Sequence, residues 1–189
     1  MLNVTPISSS DARLLPMPPP GSAEGEWYAL WTHSHCEQLV HDQLVAKGFQ
    51  PFLPTLDVWS RRRGVRRLIR VPMFPGYLFL RGEMNKAAYL QVRAVRGLVR
   101  VLGERWDCLA VVADHEVEAI RRASAAGHHV LPHPYLKEGR RARITHGPLT
   151  GLEGILVEDR SKRGLLVLSI ELLQRSVAVV VDCTDTQPS

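Results

Sequence analysis

Apolar residues cluster in short alternating runs along much of this chain. Trp27 to Trp31 reads as a strand. So does Tyr77-Leu78-Phe79-Leu80, where period-two geometry puts Tyr77 and Phe79 on one face and Leu78 and Leu80 on the other. One of those faces can join a core, and the other carries two rings that are either buried or shown to a partner. Helical spacing appears in three places. Ser34 with Glu37 three residues on has the form of a capping box, and Cys36, Leu39, Val40 and Leu44 follow at helical spacing until Gly48. A second helix is predicted from Asn85, as its cap, to Val95, with Ala88, Val92 and Val95 on one side and Gly97 at its end. A third is predicted from Asp114, as its cap, with Val117, Ile120 and Ala123 on one face and Gly127 closing it.

Between the first helix and the Tyr77 strand, Pro51 and Pro54 keep the chain extended from Phe49 to Val58. Val58-Trp59 and Leu68-Ile69-Arg70-Val71 then flank the basic turn Arg61-Arg62-Arg63-Gly64-Val65-Arg66-Arg67, which predicts a hairpin. Leu98 to Leu102 is a short strand. The order β, α, several β, α, β, α gives an α+β class, a mostly antiparallel sheet flanked by helices. Residues 128 to 138 hold two prolines and no periodicity and read as a linker. Beyond them only short strands are predicted: Ala142 to Thr145, Gly154 to Glu158, Leu165 to Ile170 and Ser176 to Val181. Turn signals at Gly147-Pro148 and Gly151 separate them, the layout of a small β-barrel. Residues 1 to 25 are rich in Pro and Ser and read as a disordered tail. The expected division is therefore a tail at 1–25, a first domain at 26–127, a linker at 128–138 and a barrel domain at 139–185.

Composition narrows the chemistry. The 189 residues are 45% hydrophobic and carry a net charge of +5, which suits a packed core and an acidic partner such as nucleic acid. Arg61, Arg62, Arg63, Arg66, Arg67 and Arg70 occur with no acidic residue among them. Guanidinium groups pair with phosphate by forked hydrogen bonds; the alternative is a solvated hairpin tip that blunts a sheet edge. Cys36, Cys108 and Cys183 are odd in number and widely spaced, so neither a disulfide framework nor a zinc site is expected. His33, His35, His41, His128, His129 and His133 lack any metal-ligand spacing. Nucleophile-elbow and phosphate-loop motifs are absent, so neither an enzyme nor a cofactor is expected. No apolar run has the length of a membrane span and the start lacks the form of a secretory signal, so a cytoplasmic monomer is the expectation.

Four stretches, in order, carry a family resemblance. Pro72-Met73-Phe74-Pro75-Gly76-Tyr77-Leu78-Phe79 resembles the F-P-G-Y signature of the NusG family of transcription elongation factors. Trp27-Tyr28-Ala29-Leu30 resembles the family's opening strand, residues 139–156 a KOW motif, and residues 169–182 the closing strands of the KOW barrel. Within the last, Glu171-Leu172-Leu173-Gln174-Arg175-Ser176-Val177 is most similar to the UpxY-like specialised antiterminators. The resemblance implies a NusG-type N-terminal domain and an SH3-like KOW barrel. It implies RNA polymerase binding at the clamp through Phe74, Tyr77 and Phe79, with Trp27 or Trp31 nearby. It places His33 and His35 beside DNA, non-template or upstream. The His-Thr-Thr contact to the polymerase gate loop that one paralogue of the family carries has no counterpart at Ala88-Tyr89-Leu90-Gln91. Leu149 and Leu152 stand where housekeeping members carry the aromatic residues that meet a small-subunit ribosomal protein. The implied function is suppression of pausing or termination on particular operons. Two alternatives stay open: a general elongation factor, and an RNA- or ribosome-binding module with no polymerase role. The run Val177, Val179, Val180 and Val181 favours a stable β-fold for the last domain.

Overall fold

The computed structural model describes residues 25–62, 64–125, 130–134, 136, 139–147, 149–158, 163–182 and 185–188. The expected tail up to residue 24, the stop at Gly127, and Arg63, His128, His129 and Cys183 lie outside them. The N-terminal part contains β1 (Glu26–Thr32), α1 (Glu37–Ala46), β2 (Gln50–Phe52), β3 (Thr55–Arg62), β4 (Val65–Pro72), β5 (Tyr77–Gly82), α2 (Lys86–Arg93), β6 (Leu98–Val101), β7 (Gly103–Arg105), β8 (Cys108–Leu109), β9 (Val111–Val112) and α3 (Asp114–Ala125). The C-terminal part contains β10 (Val130–His133), β11 (Arg141–Ile144), β12 (Glu153–Glu158), β13 (Arg163–Ile170), β14 (Arg175–Asp182) and β15 (Thr186–Pro188).

The first sheet runs β2-β5-β1-β6, with β9 also pairing β1, and every pairing is antiparallel. Alternation along β1 and β5 serves two cores at once. Tyr28, Leu30, Leu78 and Leu80 pack with Val40 and Leu44 of α1 and with Val92 and Val95. Trp27, Ala29 and Phe79 face the other way, toward Val117, Ile120 and Ala123 of α3. The face expected for α3 is buried, that expected for α2 has Val92 and Val95 buried with Ala88 half-buried, and Leu39 of α1 is exposed. The buried phenol of Tyr28 donates to Glu26 Oε2 at 3.0 Å, and burial first, then that carboxylate, pushes its pKa up to about 12.

The helix ends carry both agreement and correction. Asn85 caps α2, its side chain accepting from Ala88 N at 2.9 Å. Asp114 lies one position inside α3, and the carbonyl of Ala113 accepts the first amides of that helix. The Ser34–Glu37 capping box does not form. Cys36 is the residue that precedes α1, with no side-chain cap, and the Glu37 carboxylate points elsewhere.

The C-terminal sheet runs β10-β14-β13-β12-β11-β15, again wholly antiparallel. All four strands expected from alternation are present within two residues of their expected ends. The stretch 128–138, read as a linker, contributes the edge strand β10, with Pro132 opposite Val177. An edge strand tolerates proline because one side of its backbone needs no ladder partner. β15 pairs with β11 and extends the fold past residue 185. One apolar cluster runs without a break from Trp27 through Ile120 to Leu168, so the two sheets share α3 as a common wall. Across that wall Glu116 Oε1 accepts from Glu171 N at 3.1 Å, and the Arg122 guanidinium donates to the Thr150 carbonyl. Burial between the two parts raises the Glu116 carboxyl above its ordinary value.

Candidate functional site

Phe74-Pro75-Gly76-Tyr77 is a tight turn, closed by Tyr77 N donating to the Phe74 carbonyl at 2.9 Å. Proline presets the second position, and Gly76 supplies the positive φ of +85° that the third demands. Two further bonds hold the turn. Glu37 Oε1, on buried Glu37, accepts from Gly76 N at 2.7 Å, and Thr32 N donates to the Gly76 carbonyl at 2.8 Å. Glu37 thus ties α1 to the start of β5. It was missed as a site residue because its partner lies 39 positions away.

The turn delivers an aromatic row. Phe74 meets Phe79 edge-on at 6.0 Å, Phe79 stacks on Phe52 at 6.2 Å, and Phe52 meets Trp27 edge-on at 6.2 Å. Arg81 and Arg121 lie over the Trp27 ring at 5.5 and 5.7 Å. Phe74, Phe79 and Trp27 are buried, with Phe79 wholly so. Only two of the five aromatic candidates reach solvent: Trp31, 40% exposed, and Tyr77, half-buried. They are direct cross-strand partners, and Arg100 lies 5.7 Å from the Trp31 ring. Of the five rings expected to bind, two are therefore at the surface and three are buried.

The second candidate is the β3–β4 ribbon. Its eight-residue strands pair from Thr55–Pro72 to Arg62–Val65 and form a sheet of their own. Asp57, Trp59, Arg61, Arg66, Leu68 and Arg70 share one face by register. On the other, Leu56 is buried, and Val58 and Val71 pack against the core and anchor the root. Arg61, Arg66 and Arg67 are exposed, as is Trp59, which sequence reasoning passed over. The side chains of Arg62 and Arg63 lie outside the described residues. His33 and His35 are exposed in the turn before α1, His35 at φ 61°.

Leu149 and Leu152 are buried, at 3% and 2% exposure, within the cluster that includes α3. Arg122 of α3 reaches the Thr150 carbonyl in the same turn. Among the described residues no three His, Cys, Asp or Glu side chains group as metal ligands, and no helix is long and apolar enough to cross a membrane.

Comparison with known proteins gives this geometry its context. Residues 25–121 match the NusG family, described as "Transcription termination factor nusG". The chain is similar to the transcription termination/antitermination protein NusG of Yersinia pestis, 29% identical over 78% of this chain and 82% of that one. Its counterpart in Escherichia coli K12 is 29% identical over 71% and 75%, and that of Pseudomonas aeruginosa 24% identical over 85% and 97%. The solved structure described as "Domain interaction in Thermotoga maritima NusG" superposes with a TM-score of 0.54 at 21% identity, covering 89% of this chain and 99% of that one. A sheet walled by helices, a Phe-Pro-Gly-Tyr turn at its centre and a match over half the chain converge: the protein belongs to the NusG family of transcription termination and antitermination factors.

Proposed function

We propose that this protein binds transcribing RNA polymerase through its N-terminal domain and suppresses pausing or termination on particular operons. The observation that carries the reading is the Trp31–Tyr77 pair. These rings are held by β-ladder hydrogen bonds, backed by buried Phe74 and Phe79, and flanked by Arg100. A rigid aromatic pair beside a cation is the composition of an interface anchor. Arg61, Arg66 and Arg67, with Arg62 and Arg63 from the same basic run of the sequence, supply the nucleic-acid contact, and His33 and His35 a further approach to DNA. The factor needs only to bind the active polymerase more tightly than the paused form. A difference of about 1.4 kcal/mol shifts that balance tenfold.

The C-terminal domain, now with β10 included, recruits a second partner at raised local concentration. Its contact with α3 supports a gate: Leu149 and Leu152 meet a partner, such as a small-subunit ribosomal protein, only after the domain leaves α3. The solved Thermotoga maritima protein is described by a domain interaction of its own. The similarity of residues 171–177 to specialised antiterminators supports action on selected operons.

The test is binding to a reconstituted elongation complex at two salt concentrations, with pausing scored in the same reactions. The double variant Trp31→Ala, Tyr77→Ala is expected to lose at least roughly tenfold in affinity and to restore pausing while its unfolding curve stays close to that of the parent. Unchanged affinity would sink the aromatic assignment. Arg61→Ala with Arg66→Ala should flatten the salt dependence, and an unchanged slope returns the ribbon to a solvated tip.

A further inference from the structure

The structure assigns to the Trp59 face of the β3–β4 ribbon a binding site for single-stranded DNA, with the Trp59 indole as a base-stacking platform. The inference rests on the reading that this ribbon faces nucleic acid and deepens it from phosphate contact to base contact. Trp59 is 65% exposed, the largest exposure among the large hydrophobic residues of the described chain, and its cross-strand partner Leu68 is 53% exposed. No helix covers them, because the ribbon forms its own two-stranded sheet and only its root packs on the core.

Its surroundings select the occupant. Arg66 sits diagonally across the strands with its guanidinium 5.6 Å from the indole centroid, and Arg61 shares the same face. Arg70 completes the row and pairs with Asp57 at 3.3 Å. Three arginines against one aspartate make the face cationic around an apolar ring. Single-strand sites combine these two features, a basic track for phosphates and an aromatic surface for a base. A duplex keeps its bases stacked on one another and leaves the indole idle. The same face favours DNA over RNA. The cross-strand neighbour beside the ring is a leucine, which offers nothing to a 2′-hydroxyl. Leucine methyls suit the methyl group of thymine.

The experiment uses the full chain and three labelled strands of equal length, read by fluorescence anisotropy: oligothymidylate, oligouridylate and a mixed-sequence duplex. Oligothymidylate should bind most tightly. Trp59→Ala should weaken that binding about tenfold without altering its salt slope, and Trp59→Phe should keep most of it. Trp59 is exposed, so neither variant threatens folding. Parent-like binding by Trp59→Ala overturns the stacking site. Equal or tighter binding of oligouridylate or duplex overturns the assignment of strand type, and equal competition by polyglutamate reduces the face to a general anion surface. Polymerase is absent from this assay, so failure here leaves the Trp31–Tyr77 reading standing. Failure of the arginine variants on the elongation complex is a separate result.

Discussion

β1 with β5, and β3 with β4, are built by the same rules and meet opposite fates. Both pairs are antiparallel, both alternate, and both carry a tryptophan. In the first pair α1 and α2 roof one face and α3 the other, so Phe79 and Leu78 are both buried on a single strand. In the second no helix lies over the distal half, and Trp59, Leu68 and Ile69 stay in solvent. Alternation tells which side chains share a face. Only the covering elements decide whether that face is core or surface, and a face left bare in a folded protein is where a partner belongs.

Truncation should separate the two regions most sharply. Phe79→Ala is expected to cost about 3–5 kcal/mol in denaturant unfolding, whereas Trp59→Ala should stay within about 0.5 kcal/mol. Similar losses at both positions would mean that the ribbon packs on something in the folded chain. Next is the bond that fixes the aromatic turn. Glu37→Ala leaves the Gly76 amide without its acceptor and should cost about 2 kcal/mol, with weaker polymerase binding if the turn sets the Trp31–Tyr77 geometry. Tyr28 tests the roofed face by titration. Its folded pKa of about 12 lies above the usual phenol value of 10.0, so its contribution is fully present below pH 10 and is lost as pH rises toward 12. Tyr28→Phe should flatten that alkaline decline. Asn85→Ala removes the cap of the roofing helix α2, at about 1 kcal/mol. The smallest effect is expected at the exposed Asp57–Arg70 pair, where Asp57→Ala should change stability by less than about 0.5 kcal/mol.

Much of this was legible in the sequence because local pattern and final environment agree. Val117, Ile120 and Ala123 were expected on one face of α3 and are all buried; the strands of the C-terminal sheet follow their β-branched runs. What escaped depends on long-range partners. Glu37 looked like half of a capping box, but its carboxylate accepts from the Gly76 amide. β10 and β15 are short, proline-containing edge strands that exist because β14 and β11 offer free edges to pair with. Leu149 and Leu152 were expected to meet a partner, as the resemblance implied, and both are buried in the apolar cluster that α3 shares.

The position of β10 has a mechanical consequence. From Ala125, where α3 ends, to Val130, where β10 begins, the chain can span at most about 18 Å. If β10 unzips from β14, the next fixed point is Leu136, whose amide donates to Ser176 Oγ and whose carbonyl accepts from Ser169 Oγ, and the reach grows to about 40 Å. Four residues of edge strand thus act as a reel on the leash between the domains. Whether they are wound in or paid out sets how far the barrel can move from the N-terminal sheet, and how strongly encounters between the two are concentrated.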